Sequence, residues 1–165
     1  MACWKRPCPF VILAEAARSQ PATPELQVAI LDVIAQPTRP FLITMTLAGY
    51  PYGRPVICVN EGLAIWMVTR RHSKKIGHLV RNMHASLLWS EPPRSVLLQG
   101  EMMIIDNQAA VEEFYRRYAL KNPERQRFNA ADNVERVVLQ LRPTFCRADW
   151  FAGYTPVIWR PVVSY

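Results

Sequence analysis

The sequence predicts an antiparallel β-barrel with peripheral helices, and three observations favour this class. Six or more short β-rich runs follow one another, most of them joined by hairpin-length turns. Helical patterns interrupt them singly and do not follow every strand, which argues against a parallel doubly wound sheet. The chain has 165 residues, 50% of them hydrophobic, enough for one domain with a sizeable core. We therefore expect a single mainly β domain over residues 23–165.

Residues 1–22 mix proline, cysteine and basic residues without a period, and we expect them to form a loosely attached N-terminal extension. The apolar run FVILA is shorter than the roughly 7–15 residues of a signal-peptide core. No segment reaches the roughly 20 apolar residues of a membrane span. The four cysteines have neither metal-type nor disulfide-framework spacing, which favours free thiols in a reducing compartment. These features predict a cytoplasmic protein with no membrane partner.

The elements follow in order along the chain. Thr23 and Pro24 are typical of a helix start, and apolar residues then recur at helical spacing as far as Ile34. The stretch PFLITMTLAGYPYGRPVICV contains two β-rich runs around the turn signal AGYPYG. A second turn at 60–62 leads into a strand at 63–69, which is followed by a helix at 73–81.

The second half of the chain returns to strands. Residues 85–89 predict one strand, and a proline loop separates it from a longer strand in which Gly100 suits a bulge. Residues 107–120 carry a helical apolar stripe, and 121–132 predict a loop. A last pair of strands is predicted after it, with a break at Pro143.

The stretch TRRHSKKIGHL, residues 69–79, predicts a phosphate-binding site. A helix that begins at Ser73 offers free backbone N–H groups and the positive end of its dipole. Thr69 and Ser73 add hydroxyls, while Lys74 and Lys75 are half of the four lysines in the chain. Taken alone, however, a serine at a helix start is more often an ordinary N-cap in front of a solvated first turn.

Three stretches in succession resemble the pyridoxamine 5'-phosphate oxidase-like family of FMN-binding split barrels. They are LITMTLAGYPYGRPVICV, LAIWMVTRRHSKKIGHLVRNMHASLLW and RSVLLQGEMMIID, and the resemblance covers about residues 25–118 well. It implies an antiparallel six-stranded split β-barrel with peripheral helices. It also implies a homodimer that binds FMN in a groove between its two subunits.

The resemblance further implies which residues contact the cofactor. The matched positions are Arg54, Pro55, Val56, Ile57, Val68, Thr69, Ser73, Lys74, Lys75 and Ser95. The first four, with the chain as far as Val59, would line the flavin ring, and the next two would touch the cofactor at a strand end. The three residues from Ser73 would bind the phosphate, and Ser95 stands where the oxidases have a glutamine. No residue receives a catalytic role, because a hydride can pass directly to the flavin.

The chain departs from the oxidases at its C-terminal end. The oxidases end in an Arg-x-His segment that holds the substrate phosphate, whereas this chain ends in VIWRPVVSY, with no histidine two residues after Arg160. The sequence therefore predicts an FMN-dependent oxidoreductase that acts on a small-molecule substrate of unknown identity. Pyridoxamine phosphate oxidation is not expected.

Other functions stay open at this point. A relative on the same fold could bind a deazaflavin, or haem with His72 or His78 as the nearby axial ligand. The net charge of +7 suits a nucleic-acid-binding β-barrel. Against nucleic acid as a partner, the strands RPVICV and SVLLQG are aliphatic and lack interleaved aromatic residues that could stack on bases. The three histidines are spaced six apart and match no usual zinc spacing, so no metal site is predicted.

Overall fold

The computed structural model describes residues 19–123, 135–151, 153 and 155–161. Most of the predicted extension and most of the predicted loop at 121–132 lie outside these residues. In the part of the chain that is described, the strands are β1 (Gln20–Pro21), β2 (Phe41–Met45), β3 (Pro51–Pro55), β4 (Cys58–Glu61), β5 (Ala64–Arg70), β6 (His84–Glu91), β7 (Arg94–Ile105), β8 (Arg136–Asp149) and β9 (Val157–Trp159). The helices are α1 (Pro24–Ala35), α2 (Lys74–Arg81) and α3 (Gln108–Lys121). None of these helices is long and apolar enough to cross a membrane.

All nine described strands belong to one sheet. Its order is β1-β9-β8-β7-β6-β2-β3, while β5 also pairs with the first half of β8 and carries β4 on its other edge. Every pairing is antiparallel except that of β1 with β9. Only two residues of the chain separate β3 from β4, yet these two strands do not pair with each other. The sheet is therefore open between them. The prediction of a mainly β split barrel with peripheral helices is confirmed.

The described strands number nine, which agrees with the prediction of six or more and exceeds the six that the resemblance implies for the barrel. Three of them, β1, β4 and β9, are only two to four residues long, too short to show the period-2 alternation by which a strand is recognised. The predicted run RPVICV divides into β3 and β4. Gln20 and Pro21, assigned to the extension, pair with Val157 and Ile158 and so lie in the sheet.

The first helix packs on one face of the sheet as its sequence predicts. The Thr23 side chain accepts a hydrogen bond from the Leu26 N–H at 3.4 Å, and Pro24 occupies the first turn. Ile30 and Ile34 are buried in a core whose sheet residues include Trp89. Each fully buried side chain of this size contributes roughly 1.5–3 kcal/mol to folding.

The third helix covers a second apolar cluster. The Asn107 side chain caps the helix by accepting from the Ala109 N–H at 2.8 Å. Phe114 and Tyr118 are buried against Val138 of β8. Successive residues of a strand point to opposite faces, so Val138 faces α3 while Leu139 faces the larger core. This helix forms one wall of the groove described below.

The predicted break at Pro143 is wrong, since β8 is continuous from Arg136 to Asp149. Its pairing with β7 shifts register between Gln99 and Gly100, so that Thr144 has no opposite residue. A proline lacks the N–H that a regular ladder would need, and a bulge is a place where that loss is tolerated. Gly100, predicted to suit a bulge, lies opposite Pro143 at this point.

Candidate functional site

A cluster of two hydroxyls and one ammonium group connects the end of β5 to the start of α2. The Thr69 hydroxyl lies 3.1 Å from the Ser73 hydroxyl, and Lys75 Nζ donates to Thr69 Oγ1 at 2.7 Å. Thr69 is only 5% exposed. The cluster is compact because the chain turns from strand to helix over three residues, with the Ser73 N–H bonded to the Arg70 carbonyl at 3.0 Å.

Ser73 occupies the N-cap position of α2 without acting as an ordinary cap. Its backbone is extended, with φ −75° and ψ 150°, yet its side chain accepts no hydrogen bond from the first turn. The hydroxyl faces Thr69 instead. The N-terminal N–H groups of a helix need an acceptor from outside the helix. This start of α2 is therefore open to an anion, and no acidic residue lies in its first turn.

Lys75 is a half-buried cation with no counter-charge in the part of the chain that the structure describes. Burial lowers the pKa of its ammonium group, and the positive charge of Arg54 lowers it further. Among the described residues no carboxylate lies within ion-pair distance of Lys75 or Arg54. Buried charges are normally paired, so two neighbouring cations of this kind indicate a place for a bound anion.

Arg54 belongs to a second polar cluster next to the first. Its guanidinium donates to the hydroxyl of Thr44, which is 1% exposed and also lies 2.9 Å from Nδ1 of His78. The guanidinium stacks over the Tyr52 ring at 4.9 Å, a cation–π contact. The pKa of Arg54 is lowered by burial, and that of His78 is lowered by burial and by the charges of Arg54 and Lys74. These contacts hold Arg54 in one orientation beside Lys75.

A cavity, which we call the groove, lies where the sheet is open between β3 and β4. It has a volume of about 240 Å³. Its walls combine aliphatic side chains of the sheet, aromatic side chains of α3 and three basic residues. They are Arg39, Pro55, Val56, Ile57, Val68, Lys75, Phe114, Tyr115, Tyr118 and Arg136. No acidic residue is among the described residues that line it, so the groove suits a ligand with an apolar body and a negative charge.

Most of the residues predicted to contact a cofactor come together at this groove. Five of them line it, namely Pro55, Val56, Ile57, Val68 and Lys75. Thr69 and Ser73 adjoin it through the hydrogen bond of Lys75, and Arg54 lies close enough to influence the Lys75 charge. Lys74 is exposed on the first turn of α2. The two adjacent lysines therefore have different surroundings.

Ser95 does not reach the groove within one chain. It pairs with Asp149 at the far end of β8, and its hydroxyl lies 3.4 Å from the Asp149 carboxylate. Thr69 pairs with Val137 of β8, which precedes Asp149 by twelve residues on that strand. At about 3.3 Å per residue, the two positions are roughly 35–40 Å apart along the strand. A role for Ser95 at the cofactor stays a prediction that requires a second subunit.

Sequence reasoning missed five residues of the groove: Arg39, Phe114, Tyr115, Tyr118 and Arg136. The three aromatic residues were recognised only as the core-facing stripe of a helix. The two tyrosines on an otherwise apolar stripe could have indicated a polar site beside α3, because a buried tyrosine usually directs its hydroxyl to a polar partner. Arg39 and Arg136 lie far apart in sequence, and no local pattern connects them.

Two other chemistries find little support in the described residues. No group of three or more histidine, cysteine, aspartate or glutamate side chains there could hold a metal ion. Burial raises the pKa of the Cys58 thiol to about 12, although Lys121 opposes the shift. Cys58 is consequently protonated and a poor nucleophile at neutral pH.

The described residues form an open β-sheet with a basic, partly aliphatic groove at its gap. The sequence identifies the family, since residues 26–148 match the pyridoxamine 5'-phosphate oxidase family. The chain belongs to that family. No curated protein matches the sequence.

Solved structures share the fold at low sequence identity. General Stress Protein 26 from Bacillus anthracis is 17% identical with a TM-score of 0.66, and the match covers 83% of this chain and 99% of that one. A protein from Clostridium acetobutylicum, described as related to general stress protein 26 of B. subtilis and as of the pyridoxinephosphate oxidase family, is 13% identical with a TM-score of 0.66, covering 82% and 94%. An F420 reductase is 18% identical with a TM-score of 0.57, covering 70% and 93%.

Proposed function

We propose that this chain binds FMN and acts as a flavin-dependent oxidoreductase on a small-molecule substrate. The observation that carries the proposal is Lys75, a half-buried cation at the groove with no carboxylate partner among the described residues. Ser73 and Thr69 supply hydroxyls beside it, and the uncapped first turn of α2 supplies N–H groups. These are the groups that hold a phosphate at a helix start.

The remaining walls of the groove fit the ring of a flavin. Pro55, Val56, Ile57 and Val68 form an apolar surface that can exclude water from one side of a planar ring. When bound, FMN supplies the redox chemistry by accepting or donating a hydride equivalent. The chain's own residues then bind the phosphate, orient the ring and shield it. The departure at Arg160 supports a substrate other than pyridoxamine phosphate.

The experiment that tests this function identifies the small molecule that the protein carries. We expect the denatured protein to release FMN, detected by mass spectrometry, and the native protein to show a flavin absorption spectrum. Protein purified without a ligand should regain that spectrum when FMN is added. Release of no flavin, together with no binding of added FMN, would contradict the proposal.

A deazaflavin is a second candidate, favoured by the structural similarity to an F420 reductase. Its phosphate-bearing tail would meet the same basic groups, and the mass of the released molecule separates it from FMN. Haem has less support, because neither His72 nor His78 lines the groove. The volume of the groove, about 240 Å³, also favours a small molecule over a nucleic-acid strand.

We further propose a homodimer in which a second subunit completes the groove. The groove of one chain, about 240 Å³, is smaller than the roughly 300–1,000 Å³ of typical ligand pockets. Large apolar side chains are exposed around β2, β3 and α2: Phe41, Leu47, Tyr50, Tyr52, Val80 and Met83. Exposed apolar surface of this extent favours a protein interface.

Sedimentation velocity tests the homodimer. We expect the FMN-loaded protein to sediment as a dimer at micromolar concentration, because the apolar residues around β3 would then be covered and the partner's Ser95 could approach the groove. The charge of two bound phosphates would offset part of the repulsion between chains of net charge +7. Sedimentation of the loaded protein as a monomer would contradict this assembly.

A further inference from the structure

A second cavity of about 230 Å³ adjoins the groove. It lies between the C-terminal ends of α1 and α3 and the edge strand β4, and it shares Arg39, Ile57 and Tyr118 with the groove. Its remaining walls are Ile34, Ala35, Gln36, Pro37, Thr38, Cys58, Asn60, Lys121 and Asn122. Because the two cavities have walls in common, a molecule in the second would lie beside whatever occupies the first.

The charge of the second cavity is positive. Lys121 Nζ donates to the Asn60 carbonyl at 2.9 Å and to Asn60 Oδ1 at 2.6 Å. An ammonium group has three N–H donors, so one donor remains for a ligand after Asn60 has fixed its position. Arg39 has no carboxylate within ion-pair distance among the described residues. The described lining of the cavity contains no acidic residue.

A buried hydroxyl gives independent support for a ligand. Thr38 Oγ1 is shielded from solvent and has no hydrogen-bond partner in the described part of the chain, and Thr38 lines the cavity. Leaving a buried hydroxyl without a partner is unfavourable, and a hydrogen bond to a ligand would remove that cost. Ile34, Pro37 and Tyr118 add an apolar wall. The cavity thus combines cationic groups with a surface for a hydrocarbon body.

We propose that the second cavity binds the substrate, and that the substrate is a small organic anion with an apolar body whose negative group contacts Lys121 and Arg39. The identification of this anion as the substrate rests on the proposed function. The anion site itself does not depend on FMN. The small volume favours a compact metabolite over a drug-sized molecule.

Binding of three probe molecules tests the charge requirement. Benzoate and phenyl phosphate carry the proposed anion, whereas benzamide keeps the ring and is neutral. We expect calorimetric titration to show at least one of the two anions binding about tenfold more tightly than benzamide, as loss of a charge-assisted contact implies. We also expect the bound anion to shift the absorption spectrum of FMN in the loaded protein. If neither anion binds more tightly than benzamide, the inference is overturned.

Variants locate the binding in this cavity. Lys121→Gln can keep a hydrogen bond to Asn60 but loses the charge. Because Lys121 is exposed, solvent and salt weaken its contact with an anion, and we expect about threefold to fivefold weaker binding. Arg116→Gln is the matched control, because this substitution removes the same charge from the same helix. Arg116 has 63% of its side chain exposed. Thr38→Val should also weaken anion binding without lowering the melting temperature of the unliganded protein, because an unpartnered hydroxyl stabilises nothing.

The outcomes separate this inference from the proposed function. Of the two cavities described, Lys121 lines the second and not the groove, so FMN affinity should be unchanged in Lys121→Gln. FMN binding without selective anion binding would overturn the anion site and leave the flavin proposal intact. Selective anion binding without FMN binding would support the site and contradict the flavin proposal. Equal anion affinity in wild type, Lys121→Gln and Arg116→Gln would place the binding elsewhere and overturn the inference.

Discussion

Gly100→Ala is expected to lower the free energy of unfolding by about 3 kcal/mol or more, an effect at the upper end of overpacking substitutions. A Cβ at this position would lie 2.0 Å from the Arg142 carbonyl oxygen and 2.7 Å from the Pro143 Cα. Both are backbone atoms of β8, so no side-chain rotation can relieve the contact. The strands would have to separate at the bulge, and pairing of β7 with β8 would be weakened along the centre of the sheet.

Gly77→Ala provides a matched control for this substitution. Gly77 lies within α2, and a Cβ there would meet no atom within 4 Å. Alanine is the better helix former by roughly 0.5–1 kcal/mol, so this variant should be slightly stabilised. Urea unfolding of both variants measures the difference. Equal stabilities of the two variants would show that the β7 and β8 backbones are not in close contact at the bulge.

The helices and long strands were predictable because their patterns are local. The apolar spacing after Pro24 and the cap at Thr23 define α1, and both are present in the structure. The turn at 60–62 and the apolar run after it likewise predict β5, in which every second residue is buried in the structure. In each case the residues that determine the element lie within one or two turns or pleats of each other.

Elements that depend on distant partners were not predictable. The sequence predicts that Pro143 breaks the strand. In the structure β8 continues through Pro143, because the backbone of Gly100 on β7 approaches it closely at the bulge. The division of RPVICV into β3 and β4 likewise has no local cause, because β3 pairs with β2 and β4 with β5. Neither partner strand can be inferred from the six residues themselves.

The same distinction applies to the candidate site. The helix start at Ser73 and its lysines could be recognised from eleven contiguous residues. The contribution of Arg39, of Arg136 and of the tyrosines of α3 could not, because the fold alone brings them to Val68 and Lys75. Sequence also gave no means to distinguish Lys74 from Lys75. The structure does so, since one is exposed and the other half-buried beside Thr69.

Lys75→Ala is therefore expected to reduce FMN affinity about tenfold or more, and Lys74→Ala considerably less. A hydrogen bond to a charged group is worth roughly 1.5–3 kcal/mol, and each 1.4 kcal/mol is about a factor of ten in affinity. Lys75 Nζ is partly desolvated and held by Thr69, so its interaction with a phosphate is weakly screened. Lys74 is exposed, where solvent and salt weaken a charge.

Fluorescence quenching with FMN and with riboflavin measures this difference and assigns it to the phosphate. Riboflavin lacks the phosphate, so its affinity should be nearly unchanged in Lys75→Ala. Stability should change little, because the variant loses the hydrogen bond to Thr69 but also removes a cation repelled by Arg54. Equal loss of riboflavin and FMN binding would mean that Lys75 supports the shape of the groove and not the phosphate. FMN affinity equal to that of wild type in Lys74→Ala, Lys75→Ala and the double variant would instead identify the lysines as an ordinary solvated helix start.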